Sequence, residues 1–516
     1  MGPTIRSMFE QTVAKYPDKE GLVDLRLGKR WTFREWDEEV NRLANAFRAS
    51  GVEKGDRVST VLFNTAEFAH VLFACLKIGA IFNPINFRLT EKEITFILED
   101  ADPKIVVFEN ATARQVAGTA KALQGIQYWS IDQHELSFAV NFYQQMEGME
   151  ATRPDCELSE DDTYAIMYTS GTTGLPKGVL HSHRDMIDQA VIMAGVVQVT
   201  ERERGLVTAP IFHCAELHCA FFPRVMMGAT NVIMHHFDPK AVLTYIKEEK
   251  ISSFFAAPTM WNMMLQEDLT NADFSDLEIG FYGGAPMAPA LVKQLHDKMG
   301  IKLLQAYGMT EMGPAITALM EDEQLVKAGS AGRAILNHEV RVVRTREDGP
   351  SEPEDICGPN ELGEIIVRGP SMMQGYYKRP EATEEAMYKG WYHSGDIGAF
   401  DEDGYLWVSD RVKDMIVSGG ENIYSREVED ALFDHELVMD AAVIGEPDEM
   451  WGETVVAYVV KKDEALTAEE LDEFCTSNNR LARYKRPRRY EFVSELPRNA
   501  SGKLQKFKLR EQVKEM

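Results

Sequence analysis

Apolar positions along the chain follow two alternating rhythms. Residues 65–78 carry apolar side chains on the period of a helix, and 104–108 form the short apolar run of a buried strand. The pair recurs downstream, with a helical period over 239–249 and a strand run over 251–256. Helix and strand in alternation predict βαβ units and so an α/β fold. Residues 164–168 predict a strand that enters a glycine- and hydroxyl-rich loop, and the run from Gly178 predicts the strand that leaves it. After Asp410 the rhythm restarts as a compact α+β pattern. A helix is predicted over 426–435, strands over 441–444 and 454–460, a helix capped by Thr467 over 467–478, and a strand over 489–493.

Composition narrows this picture. A chain of 516 residues with 44% hydrophobic content is globular and too long for one ordinary core, so two or more domains are expected. The 82 Asp and Glu outnumber the 55 Lys and Arg, a formal charge of −27 that argues against nucleic acid or anionic membrane as a partner. An anionic substrate must then be drawn by local cations. The longest apolar stretch, 71–85, is interrupted by Lys77 and Asn83 and is too short to be a transmembrane segment. Six cysteines, with no signal peptide ahead of them, predict reduced thiols and a cytoplasmic protein. The run from His213 to Cys219 holds metal-binding residue types, but its spacing matches no usual zinc motif.

The clearest chemistry lies in Tyr168-Thr-Ser-Gly-Thr-Thr-Gly-Leu-Pro-Lys-Gly178. Gly171, Gly174 and Gly178 let backbone approach phosphate oxygens, Thr169, Ser170, Thr172 and Thr173 offer hydroxyl donors, and Lys177 offers a cation. It is not a Walker loop, because Lys177 follows Pro176 and precedes Gly178. Further motifs follow in order: Tyr282-Gly-Gly-Ala-Pro286, Gln305-Ala-Tyr-Gly-Met-Thr-Glu311, Gly390-Trp-Tyr-His-Ser-Gly-Asp396, Asp410-Arg-Val-Lys-Asp414, Ser418-Gly-Gly-Glu-Asn422 and Pro497-Arg-Asn-Ala-Ser-Gly-Lys503. Together they closely resemble the signatures of the adenylate-forming superfamily, which includes acyl-CoA synthetases, peptide-synthetase adenylation domains and luciferases. Within it the chain is most similar to fatty acyl-CoA synthetases.

The resemblance implies an α/β protein with a large N-terminal domain of βαβ layers, 1–409, and a small mobile α+β lid, 410–516. It also implies a reaction in which a carboxylic acid attacks ATP, releasing pyrophosphate, and the acyl-adenylate then passes its acyl group to CoA. ATP and CoA are co-substrates and Mg²⁺ the cofactor. The difficulty is electrostatic: two unit charges about 3.5 Å apart repel by roughly 5 kcal/mol at an effective dielectric near 20, so carboxylate and triphosphate need cations between them.

By the same resemblance, Glu311 would hold Mg²⁺, Thr310 would bond the α-phosphate, and the 169–177 loop would cradle the departing phosphates. Tyr307 would stack on adenine, with Gly283, Gly284 and Ala285 beside it. Asp396 would accept the ribose hydroxyls, reinforced by Arg411. Lys503 would be the lid-borne cation of the adenylation step. The lid would then turn about Asp410 and Lys413, bringing Ser418, Gly419, Gly420 and Glu421 to a pantetheine tunnel. Ser425 departs from the fatty acyl pattern, which usually has proline there. Six cations between Arg480 and Arg489 read equally as a CoA-phosphate contact and as a solvated basic face.

The segment Pro210 to Phe222 corresponds to the acyl-pocket motif, with His213 near the reacting carboxylate. It holds no aspartate for a substrate amine, which disfavours an amino-acid enzyme. Phe212, Leu217, Met309, Pro314 and Ala315 suggest an apolar slot, so a medium- or long-chain fatty acid is the expected substrate. An aryl-acid ligase of the 4-coumarate or benzoate type is the alternative, and a luciferase-like oxygenase a weaker one. Glu216 and His218 are unusual in such a lining: they point away or meet a polar group on an atypical acid. The acceptor, CoA or a carrier protein, and self-association as a homodimer stay open.

Overall fold

The computed structural model describes residues 2–132, 136–169, 176–285, 287–346, 349–411, 414–418, 421–448, 451–476, 481–498 and 504–515. The side chains of 410, 411, 417, 421, 422, 452 and 513–515 lie outside that description. Four sheets organise the chain. An eight-stranded sheet has at its centre the parallel strands Arg57–Val61, Ile81–Pro84, Ile105–Phe108 and Gln127–Ser130. A nine-stranded sheet has a parallel centre that includes Arg204–Val207, Ser253–Phe255, Ile279–Gly283 and Lys302–Gly308. An antiparallel sheet follows, built on Glu339–Val343, Gly363–Arg368, Trp391–Phe400 and Leu406–Arg411. The last sheet centres on the hairpin Val438–Asp448 with Gly452–Lys461. The architecture is mixed α/β, with a large N-terminal part and a smaller C-terminal one.

Local chemistry explains the elements. The helix Ala66–Ile78 starts where Thr65 accepts from the Phe68 amide and stops at Gly79, whose φ of 72° suits glycine. All its side chains are buried, which is why its apolar run is so long. Lys77, the cation interrupting that run, is 1% exposed and pairs with Glu10 at 2.8 Å and Asp37 at 2.7 Å. Around this helix Phe9, Phe73 and Trp36 stack edge and face in the largest core cluster.

The chain passes from one sheet to the next near residue 412. Leu406–Arg411 belongs to the antiparallel sheet and Ile416–Ser418 to the C-terminal one. Arg510 from the terminal helix bonds Asp414 at 2.6 Å, so the C-terminal unit holds the chain from there on. Of the basic stretch, Lys485 pairs with Glu427, Arg486 with Asp472 and Arg489 with Glu446, all within this unit.

Buried histidines make this fold acid-sensitive. Burial lowers His183 and His70 to about 4 each. The unfolded chain binds their protons near 6.5 and the folded chain does not, so stability is intact above 6.5 and falls as pH drops towards 4. His183 Nδ1 accepts from the Ile5 amide at 3.3 Å, a bond that asparagine can replace. Between pH 7 and pH 5 the wild type should lose on the order of 2 kcal/mol more stability than His183→Asn in urea unfolding. Equal losses in the two proteins would show that His183 titrates normally in the folded state.

Candidate active site

Two strands set the site. Ile279–Gly283 and Lys302–Gly308 run parallel with Gly283 opposite Ala306, and both end at the same edge, where ligands of α/β sheets collect. Backbone crowding there demands glycine. A Cβ on Gly308 would fall 1.8 Å from the Pro314 carbonyl oxygen, and one on Gly283 2.5 Å from that of Ala306.

The chain then makes the short turn Thr310–Met312, whose carbonyls are held one after another from different parts of the fold. His181 Nε2 donates to Thr310 O at 2.7 Å, the Met373 amide to Glu311 O at 2.8 Å, Ser371 Oγ to Met312 O at 2.6 Å, and His218 Nδ1 to Gly313 O at 3.1 Å. His218 is fully buried, and its other nitrogen meets the Tyr164 hydroxyl. It therefore braces the turn and does not face a ligand. Burial drives its pKa well below the ordinary histidine value, keeping the ring neutral.

This bracing fixes two side chains. Thr310 Oγ1 lies 3.3 Å from Cys214 Sγ, next to His213, and Glu311 Oε1 accepts from Tyr376 OH at 2.9 Å. Lys177 Nζ stands 5.0 Å from the centre of the Tyr376 ring. Burial first, and Glu311 second, push the Tyr376 phenol up, so it stays a donor. Lys177 and Thr169 are register partners at the mouths of strands Lys177–Ser182 and Thr163–Thr169, which close the glycine-rich loop. Ser170, Gly171, Thr172, Thr173 and Gly174 lie outside the described residues. On the other side Tyr307 OH donates to Asp396 Oδ2 at 2.7 Å. Asp396 is 8% exposed and sits opposite Arg411 in the pairing of Trp391–Phe400 with Leu406–Arg411.

His213 opens the short helix Cys214–Glu216 and accepts from the Ala215 amide at 3.2 Å. With Ala215, Glu216, Phe255, Met260, Gly283 and Gly284 it lines a pocket with a cavity of about 10 Å³, room for about one water. Ala285 follows directly on Gly284 at the pocket's edge. Phe212, Leu217, Met309, Pro314 and Ala315 are not among this pocket's walls. Phe212 and Leu217 pack in the largest core, Ala315 packs with Ala220 and Phe281, Pro314 is buried, and Met309 lies against the cluster around Met312.

The contacts thus link Lys177 to Glu311 through Tyr376, Thr310 to Cys214 beside His213, and Tyr307 to Asp396. Ser418 and Glu421 are register partners in the C-terminal unit, and Asp410 pairs with Ile397 in the antiparallel sheet before it. Lys503, Lys413, Gly419 and Gly420 fall outside the described residues. Tyr376, His181 and Ser371 escaped the sequence reading, their only signals being a Gly-Tyr-Tyr run, a histidine after the glycine-rich loop and one serine. Among the described residues no group of three or more His, Cys, Asp or Glu could hold a metal, and no helix is long and apolar enough to cross a membrane.

Two large sheets, an antiparallel sheet and a small C-terminal sheet make up a fold shared with enzymes of the adenylate-forming class. The chain belongs to the AMP-binding enzyme family, whose model matches residues 9–377, and the model of the AMP-binding enzyme C-terminal domain matches 427–503. It is 36% identical over 509 residues to a long-chain-fatty-acid–CoA ligase of Mycobacterium tuberculosis, covering 98% of this chain and 97% of that one. It is 38% identical over 486 residues to a feruloyl-CoA synthase of Amycolatopsis sp, covering 94% of each. A solved o-succinylbenzoate CoA synthetase of Bacillus subtilis in complex with its acyl-adenylate intermediate matches at 32% identity and a TM-score of 0.86, covering 98% of this chain and 97% of that one. The same enzyme is also solved with ATP and magnesium ion. The chain is accordingly an AMP-forming acid–CoA ligase. Its relatives share that activity and differ in the acid.

Proposed function

We propose that the protein activates a compact carboxylic acid with a flat, mostly apolar body, as an acyl-adenylate, and transfers it to CoA. The observation that carries this reading is the pocket beside His213. It is lined by Gly283, Gly284, Ala215 and Phe255, small residues and one aromatic ring, which suits a flat body. Met260, unbranched, is the wall most able to give way as the acid enters. Phe212 and Leu217, expected to line a longer slot, are committed to the core instead. A medium- or long-chain fatty acid is the second reading, favoured by the near full-length similarity to the mycobacterial ligase.

In this scheme the acid's carboxylate lies by His213 and Thr310, so that it approaches the α-phosphate from the pocket side. Thr310 Oγ1 donates to that phosphate, Lys177 and the loop before it hold the leaving phosphates, and Asp396 accepts from the ribose, oriented by Tyr307. Gly283, Gly284 and Ala285 flank the adenine. Glu311 fits Mg²⁺, since this hard cation is held with a nucleotide by one or two carboxylates together with the phosphates, and Glu311 stands beside Tyr376 and Lys177 at the phosphate side. Mg²⁺ would supply charge neutralisation of the phosphates. Lys503, brought by a lid of residues 410–516, supplies the remaining cation.

Pyrophosphate release from ATP, measured across aryl and aliphatic acids, tests the reading. Compact aryl acids should give the higher kcat/KM, release should need Mg²⁺, and Glu311→Gln should raise the Mg²⁺ concentration required. Activity rising steadily from octanoate to palmitate, above every aryl acid, would hand the assignment to fatty acids. An unchanged Mg²⁺ requirement would remove Glu311 from the site.

A further inference from the structure

A carboxyl group stands in the wall of this apolar pocket. Glu216 is fully buried; its Oε1 lies 3.5 Å from Arg224 Nη1, and its Oε2 has no hydrogen-bond partner among the described residues. Arg224 is committed elsewhere. Its Nε meets Glu203 Oε1 at 3.0 Å and its Nη2 meets Ser253 Oγ at 3.3 Å. It presses so closely on the strand Arg204–Val207 that a Cβ on Gly205 would fall 1.9 Å from its Nε. One buried cation therefore serves two carboxyl groups, and Glu216 has the weaker share. Burial raises its pKa to about 8 against the pull of Arg224, so near neutral pH it is mostly protonated and can both donate and accept. Buried polar groups left without partners are rare, and a purely apolar acid would leave this one so.

We infer that Glu216 is a specificity-determining residue that hydrogen-bonds a hydroxyl group on the body of the acid. The inference rests on the reading of this pocket as the acid's seat. Spacing defines the ligand further. His213, the extended N-cap of the three-residue helix Cys214–Glu216, and Glu216 at the end of that helix both line this one small pocket. A hydroxyl across a single ring from the acid-bearing carbon suits so short a span, whereas one at the end of a long chain does not. The Arg224–Glu203 pair acts behind it as a positioning unit, fixing Oε1 and leaving Oε2 for the ligand. A second carboxylate on the substrate suits the site less, because the Arg224 cation is already matched by Glu203.

The test compares acids that differ by one hydroxyl: 4-hydroxybenzoate with benzoate, 4-hydroxycinnamate with cinnamate, and 8-hydroxyoctanoate with octanoate. Each pair is measured as kcat/KM in wild type, Glu216→Gln and Glu216→Leu, with folding checked by circular dichroism and the KM for ATP as an internal control. Leucine leaves Arg224 paired with Glu203, so no charge is stranded. The wild type should favour the hydroxylated aryl acids by about 10-fold or more, since a site built to bond a hydroxyl rejects the analogue that lacks it. Glu216→Leu should bring the ratio to near one, Glu216→Gln should restore part of it, and the KM for ATP should not move. A ratio near one in every wild-type pair, or an unchanged ratio in folded Glu216→Leu, would overturn the role of Glu216. A hydroxyl preference that depends on Glu216 but appears in the octanoate pair alone would keep that role and overturn the compact-acid reading.

Discussion

Replacement of Lys503 by alanine is expected to slow acyl-adenylate formation by about 10²–10³-fold, the usual loss on removing one preorganised charge-stabilising donor. Thioester formation from supplied acyl-adenylate should survive. The expectation starts from the repulsion between carboxylate and triphosphate, which a single cation between them relieves. Lys503 itself is outside the described residues, but the chain on either side of it is well anchored. Arg498 and Leu504 form an antiparallel bridge, the Gln505 amide donates to Pro497 O at 2.8 Å, and Arg498 is tied to Asp440 at 2.7 Å. Arg498 is thus held to the strand Val438–Asp448 and bridges to Leu504. Single-turnover pyrophosphate release and acyl transfer, measured separately, check the assignment. Equal losses in both steps of a folded variant would show that Lys503 is not confined to adenylation.

The parts of this design that depend on local pattern were legible in the sequence. The helix predicted over 65–78 appears as Ala66–Ile78 with Thr65 as its cap, and the strand before the glycine-rich loop appears as Thr163–Thr169. Strands predicted over 441–444 and 454–460 prove to be the middles of a hairpin running from Val438 to Lys461, because Glu446, Pro447 and Asp448 continue the ladder against polar partners that no apolar count detects. The antiparallel sheet around Asp396 went unread for a related reason. Its strand Trp391–Phe400 contains His, Ser, Gly and Asp in succession, a turn-like composition that the ladder takes up as a bulge with Gly395 at a φ of 66°.

The candidate site divides the same way. Motifs pointed to Thr310, Glu311 and Asp396 by position in the chain. Their partners, Tyr376 for Glu311 and Tyr307 for Asp396, arise from contacts between residues 65 and 89 apart, which no local pattern encodes. Glu216 and His218 looked alike in sequence, two polar residues in an apolar motif. Packing separates them: both nitrogens of His218 are occupied, whereas one oxygen of Glu216 is not.

Lys413→Pro is expected to leave pyrophosphate release in a single turnover near the parent rate while steady acyl-CoA production falls by roughly 10²-fold, as when a conformational step is blocked and the chemistry is spared. In the proposed scheme the two steps use different groups, Lys503 for adenylation and the 418–421 segment for CoA, and a single small unit would offer both only by turning. The topology confines where that turn occurs. Up to Arg411 the chain is locked into the antiparallel sheet, with Asp396 opposite Arg411, and from Asp414 it is tied to the terminal helix through Arg510. Residues 412 and 413 are what joins them. Proline at 413 fixes φ near −65° and restricts Val412 before it, so the unit is held in one orientation without loss of any proposed nucleotide contact. Should the variant hold the opposite orientation, adenylation would fall and transfer from supplied acyl-adenylate would persist, which still places the pivot here. A folded variant that makes acyl-CoA at the parent rate would move the pivot away from Lys413 and require the sheets to part elsewhere.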